Sequence, residues 1–176
     1  KELFDEIIKA TDIKDKLSLC HSYLSKYSKG DELGQVSKIK EEMQKTLDSD
    51  DALNIAITAN TVEILEDYKK NHSINHDKAD DYIDYLKAKQ FKTIEAFEKY
   101  IDKYKNTTGL NIAKAKDGIA FLEAFSTGEV MVLHEYKRKS NEKEFEEEAD
   151  ARIKELEDLK ELELEFTKAK ETEDID

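Results

Sequence analysis

The stretch FEKYIDKYKNTTG, Phe97 to Gly109, decides how the rest of the chain is read. With Ile94 just upstream, Phe97, Ile101 and Tyr104 fall at spacings of three, four and three, an apolar stripe of helical period flanked by Tyr100, and the stripe ends in a polar turn. Upstream, Leu17, Cys20, Leu24 and Tyr27 repeat the stripe, and Tyr23 stands where Tyr100 does. Val62, Leu65, Lys69 and His72 with Tyr68, and Val130, Leu133, Lys137 and Ser140 with Tyr136, give two weaker copies. Four helices therefore share one tyrosine column. A tyrosine late in such a helix buries its ring in a seam and keeps its hydroxyl at the wet edge. The second tyrosine covers the end of the seam, so turns carrying His72 or Ser140 in its place are expected to be looser.

Each helix is followed by a polar turn (SKGDE, HSINHD, KNTTG or SNEKE) and then by a second stripe. The second stripes are Val36, Ile39 and Met43; Ala79, Ile83 and Leu86; Ala115, Ile119 and Leu122; and Ala149, Ile153 and Leu156. Helix starts are marked by Thr11-Asp12, Asn60-Thr61, Thr93 and Ser126-Thr127, and Glu63 and Glu129 are placed to complete capping boxes. The Thr markers at 11, 61, 93 and 127 are 50, 32 and 34 residues apart, and an interval in the low thirties is that of a helix-turn-helix hairpin. The long first step has LDSDD, Leu47 to Asp51, as an expected break in the second helix. The result is one domain over 1–176, with hairpins at about 11–59, 60–90, 91–125 and 126–165, and 166–176 opening a further or capping helix. At that end Phe166, Ala169 and Thr172-Glu173-Asp174 look like the approach to another tyrosine helix, while KELFDEIIKA resembles the tail of a preceding second helix. Both ends read as cut from a longer array, although a capping helix would look the same.

Composition agrees with an all-α chain. Charged residues are 40% and hydrophobic ones 38%, with no Pro, no Trp and five Gly, which suits amphipathic helices and starves a sheet of turns. The net charge is −13, and residues 141–176 hold 16 acids against 6 bases. Such a chain is repelled by phosphate backbones, so nucleic acid is not an expected ligand. No apolar run reaches the roughly 18 to 20 residues that span a bilayer, so a soluble chain with no membrane partner is expected. Cys20, the single cysteine, excludes an intramolecular disulfide and is compatible with a reducing compartment, which favours the cytoplasm. The chain begins with Lys, as an excised piece of a longer protein would.

Paired helices with Tyr23, Tyr68, Tyr100 and Tyr136 in the first and Ala79, Ala115 and Ala149 in the second, at about 34 residues, resemble the tetratricopeptide repeat and its degenerate bacterial relatives. The likeness spans nearly the whole chain, but lacks the consensus Trp, the Leu-Gly pair and the closing Pro. It implies stacked antiparallel helix-turn-helix hairpins forming a short right-handed solenoid, with first helices lining a groove for a protein segment.

Several short motifs admit chemistry. Asp80-Asp81-Tyr82-Ile83-Asp84 fits DDxxD, a magnesium-diphosphate motif of all-α prenyl-transfer enzymes, but no second carboxylate motif accompanies it and a solvated helix face is the expected reading. His72 and His76 are four apart, yet HSINH reads as a turn and no third zinc ligand is evident. Cys20 and His21 point about 100 degrees apart on a helix, which opposes a Cys-His nucleophile. Lys137-Arg138-Lys139 is expected to be neutralised by nearby acids, and His134 to lie at a helix edge. EFEEEADARIKELEDLKELELEF forms a long amphipathic helix, either extending the last hairpin or serving as a docking or coiled-coil element.

The expected function is a non-catalytic scaffold or regulatory module binding a protein or peptide partner, without catalytic residues, cofactor or metal. Lys69, Lys70, Lys99 and Lys103, on first helices, are the candidate contacts for an acidic or polar peptide. The alternatives are self-association through the C-terminal helix and, last, a metal-dependent all-α enzyme.

Overall fold

Without proline and with few glycines, long stretches of this chain have nothing to stop a helix. In a computed structural model describing residues 2–107 and 109–173, the described residues form nine α-helices and no strand. They are α1 (Glu2–Lys9), α2 (Ile13–Lys26), α3 (Leu33–Ala59), α4 (Val62–Asn71), α5 (His76–Phe91), α6 (Ile94–Tyr104), α7 (Ile112–Thr127), α8 (Val130–Lys139) and α9 (Glu146–Glu173). No described helix is long and apolar enough to cross a membrane. The chain divides into two compact units, residues 1–79 and 80–176.

In the first unit α1 packs on α2, α2 on α3 and α3 on α4. One cluster of its core is Ile7, Cys20, Tyr23 and Val36, with Phe4, Leu24, Tyr27 and Ile39 packed around it, and Leu53, Ala56, Leu65 and Tyr68 are buried further along. Burial raises the Cys20 thiol above its ordinary pKa, and His21 beside it is exposed. Asp12 and Thr61 cap α2 and α4, accepting from the amides of Asp15 (2.9 Å) and Ile64 (3.4 Å). With Thr61 as the cap, Glu63 falls two residues on instead of three, and no capping box forms. The break expected at Leu47–Asp51 is absent, and α3 runs unbroken to Asn60, whose left-handed backbone ends it. Helix-breaking propensity at LDSDD is overridden because its polar groups bond outside the helix backbone. Asp48 accepts from Gln44 Nε2 at 2.8 Å, Asp50 from Asn75 Nδ2 at 2.6 Å, and Ser49 faces Tyr68.

In the second unit α6 packs on α7, α7 on α8, and α9 on both α7 and α8. Phe97, Phe121 and Phe145 form its centre. Phe121 and Phe145 stack at 5.2 Å, and Phe97 meets Phe145 edge-on at 6.0 Å. The approach needs a glycine, because a Cβ on Gly118 would lie 2.7 Å from Phe97 Cζ and 3.1 Å from Phe145. Gly118→Ala should therefore destabilise this unit by about 1–3 kcal/mol through overpacking, measured by urea unfolding. An unchanged midpoint would show that the ring moves aside freely.

Thr93 caps α6, its Oγ1 accepting from the Ala96 amide at 3.2 Å. The start expected at Ser126-Thr127 is corrected: both residues belong to the last turn of α7, which Gly128 closes at φ +66°, and Glu129 is the cap position of α8. Glycine adopts that backbone at no steric cost, so the stop outweighs the capping side chains. No new helix opens at 166, since α9 continues from Glu146 to Glu173. The start expected at Thr172-Glu173-Asp174 lies outside the described side chains.

Candidate functional site

The tyrosine column carries a polar constellation that recurs at one fixed separation. Tyr100 and Tyr136 each donate to an aspartate nineteen residues earlier: Tyr100 Oη lies 2.7 Å from Asp81 Oδ1 and Tyr136 Oη 2.9 Å from Asp117 Oδ2. Tyr68 stands in the same relation to Ser49, the hydroxyls 3.1 Å apart. Nineteen before Tyr23 comes Phe4, which has no acceptor; its ring packs edge-on at 6.3 Å and the Tyr23 hydroxyl turns to Glu32 at 3.1 Å.

The acceptors also fasten the turn that follows each tyrosine helix. Asp81 Oδ2 accepts from the Leu110 amide at 2.9 Å, Asp81 Oδ1 from Asn111 Nδ2 at 3.0 Å, and the Asn111 amide donates to Tyr100 Oη at 3.2 Å. Asp117 Oδ2 likewise accepts from the Glu144 amide at 3.2 Å. Where Ser49 replaces aspartate, Tyr68 itself donates to the Ile74 carbonyl at 2.8 Å. One carboxylate thus joins the helix that bears it to the next tyrosine helix and to the turn beyond. Such charge-assisted bonds inside a core are the strong ones, and breaking one leaves a buried polar group without its partner.

This accounts for the acidic motif. Asp81 is buried, and Asp84 accepts from Lys103 Nζ at 2.5 Å and Tyr104 Oη at 2.7 Å. Burial works against the Asp84 carboxylate, but those bonds outweigh it and hold its pKa below the ordinary value. The solvated face expected for DDxxD is therefore corrected for these two residues, whose oxygens serve tyrosines and a turn. Among the described residues, no group of three or more His, Cys, Asp or Glu could hold a metal ion.

Nor are the turns at His72 and Ser140 loose. His72 stacks on Tyr68 at 4.7 Å with its Nδ1 3.3 Å from Ser49 Oγ, and His76 Nε2 lies 2.5 Å from the His72 carbonyl oxygen. Ser140 Oγ accepts from the Lys143 amide at 2.9 Å. The basic cluster is neutralised locally, Lys137 by Asp150, and Arg138 and Lys139 by Glu135.

Burial first, and then the neighbouring carboxylates, raise Tyr85, Tyr100, Tyr104 and Tyr136 above the ordinary value of 10.0. A raised pKa in the folded state favours the neutral phenol there. The stability it confers is complete below pH 10 and is lost as pH rises beyond it. Spectroscopic titration should show these tyrosines ionising only as the second unit unfolds in alkali, later than in urea. Coincident native and unfolded curves would contradict their burial.

Two open grooves flank this constellation in the second unit. One, of about 460 Å³, lies between α5 and α6 over Ala88, Ala96 and Tyr100; the other, of about 590 Å³, lies between α7 and α8 over Ala124, Val132 and Tyr136. Those three floor positions correspond, and two rim positions reverse in charge: Lys87 and Lys99 on the first match Glu123 and Glu135 on the second, while Lys103 matches Lys139. Of the expected contact residues, Lys99 and Lys103 come together on the first rim, Lys103 already paired with Asp84. Lys69 is half-buried on α4, and exposed Lys70 pairs with Asp67 at 2.7 Å, both in the first unit. Sequence reasoning missed Phe145, Asp117 and Glu123; the positions nineteen before the four column tyrosines are Phe4, Ser49, Asp81 and Asp117, a mixture that gives no signal in sequence. No protein-family model, curated protein or solved structure matches this chain.

Proposed function

We propose that the chain is a non-catalytic protein-interaction module built from degenerate tetratricopeptide-like hairpins in a short right-handed solenoid. The observation that carries this reading is the recurrence of one groove floor, Ala88, Ala96 and Tyr100 in the first and Ala124, Val132 and Tyr136 in the second, while two rim positions reverse in charge. A scaffold that keeps its packing residues and varies its rims can read a partner's charge order. The buried polar groups support the same reading, because they are spent on joining helices. Asp81, Asp84 and Asp117, the carboxylates best placed for metal or acid-base chemistry, already accept from tyrosines.

The partner is a protein segment with acidic side chains over the Lys87–Lys99 rim and a basic one over Glu123, Glu135 being paired with Lys139. Selection from a displayed random-peptide library should enrich such sequences. Lys87→Glu with Lys99→Glu should weaken the selected peptides by at least about tenfold. Peptides indifferent to both rims would refute groove binding. Calorimetric titration with magnesium and zinc tests the enzyme alternative, for which no heat of binding is expected.

A further inference from the structure

We propose a second docking surface: the distal half of α9 takes a basic amphipathic helical segment of a partner protein. Every residue from 157 to 170 is exposed, although this stretch includes Leu159 (50%), Leu162 (61%), Leu164 (55%) and Phe166 (63%). This half continues the packed half of α9, and leaving four large apolar side chains half or more exposed to water costs stability that a partner covering them would restore. Leu156, Leu159, Leu162, Phe166 and Ala169 run along it at spacings of three, three, four and three, close to the 3.5-residue period of a helix that packs along another.

The occupant is not another helix of the tyrosine column. The face that receives one carries Asp81, Tyr85 and Ala88 on α5 and Asp117, Phe121 and Ala124 on α7, whereas the matching positions on α9 are Ala151, Glu155 and Asp158. There is neither an acceptor for a tyrosine nor an aromatic to bury.

Charge selects among the rest. Asp158 lies four before Leu162, Glu165 three after it, and Glu163 three before Phe166, so acids border the ridge on both sides up to Phe166, over whose ring Lys170 lies. A second copy would set Asp158 and Glu165 against their own kind in an antiparallel pair; in a parallel one Asp158 would face Glu163, and Glu165 alone would meet a base, Lys170, which already lies over Phe166. A helix with apolar residues bordered by Lys or Arg satisfies the ridge and its borders together. This surface is independent of the grooves and of the reading built on them.

The test uses the full chain and two synthetic probes sharing one heptad leucine pattern, one with lysines beside the leucines and the other with glutamates. Fluorescence anisotropy should show the lysine probe binding at least about tenfold more tightly than the glutamate probe. Leu159→Asp with Phe166→Asp should abolish that binding, and Glu163→Lys with Glu165→Lys should reverse the preference. Glu42→Lys with Asp51→Lys, a control for general attraction to an acidic protein, should leave it unchanged, as should the groove variant Lys87→Glu with Lys99→Glu. All these side chains outside the groove are exposed or half-buried, so the variants keep their cores. Equal binding of the probes, or binding that survives loss of the ridge, overturns the proposal. So does a mass that doubles with concentration and reverts to monomer in the ridge variant, which would make a second copy the occupant.

Discussion

Tyr100→Ala is expected to destabilise the second unit by about 3–5 kcal/mol in urea unfolding, whereas Lys103→Ala, on the same helix, should cost about 1 kcal/mol or less. Tyr100 is 3% exposed and lies against Tyr85 at 5.8 Å and Tyr104 at 5.1 Å, so truncation leaves a cavity lined by aromatic rings. It also removes the hydroxyl that Asp81 accepts and that receives the Asn111 amide. Lys103 is mostly solvated, with an ion pair to Asp84 and its ammonium over the Tyr104 ring. Equal, small losses for the two variants would mean that the tyrosine column is incidental to the fold.

Asp81→Ala should cost about 3 kcal/mol, although in sequence it removes one acid among 42. The Tyr100 hydroxyl, the Leu110 amide and the Asn111 side chain would all lose their acceptor, two of these residues being buried. Asp84→Ala is the comparison, since Asp84 is half-buried and water can replace it at Lys103 and Tyr104; a loss of about 1 kcal/mol is expected there. Equilibrium unfolding of the two variants separates them, and a loss at Asp81 no larger than at Asp84 would remove the buried carboxylate from the account.

The helices were legible because period is a property of sequence. Phe97, Tyr100 and Tyr104 are buried as their spacing requires, and so are Leu17, Cys20 and Tyr23. The carboxylates were not legible, since Asp81 resembles its neighbours Asp80 and Asp84 until the chain brings Tyr100 and Leu110 to it. LDSDD misled for the opposite reason, its local propensity yielding to partners on α4 and the following turn. Phe145 follows the polar turn SNEKE and precedes the charged run of α9, so no periodic pattern marked it as the centre of the core. The grooves were beyond sequence altogether. Lys99 and Lys103 could be placed on one helix, but the matching of Lys99 with Glu135 across two floors needed coordinates.

The central claim is that a buried tyrosine–carboxylate bond, repeated along the chain, fastens successive helices. A double-mutant cycle on Tyr100→Phe and Asp81→Ala measures that bond directly, because phenylalanine keeps the ring and removes only the hydroxyl. The account predicts a coupling of about 1.5–3 kcal/mol between Tyr100 and Asp81, with a similar value for Tyr136 and Asp117. Additive losses at both pairs, with no coupling beyond error, would contradict it.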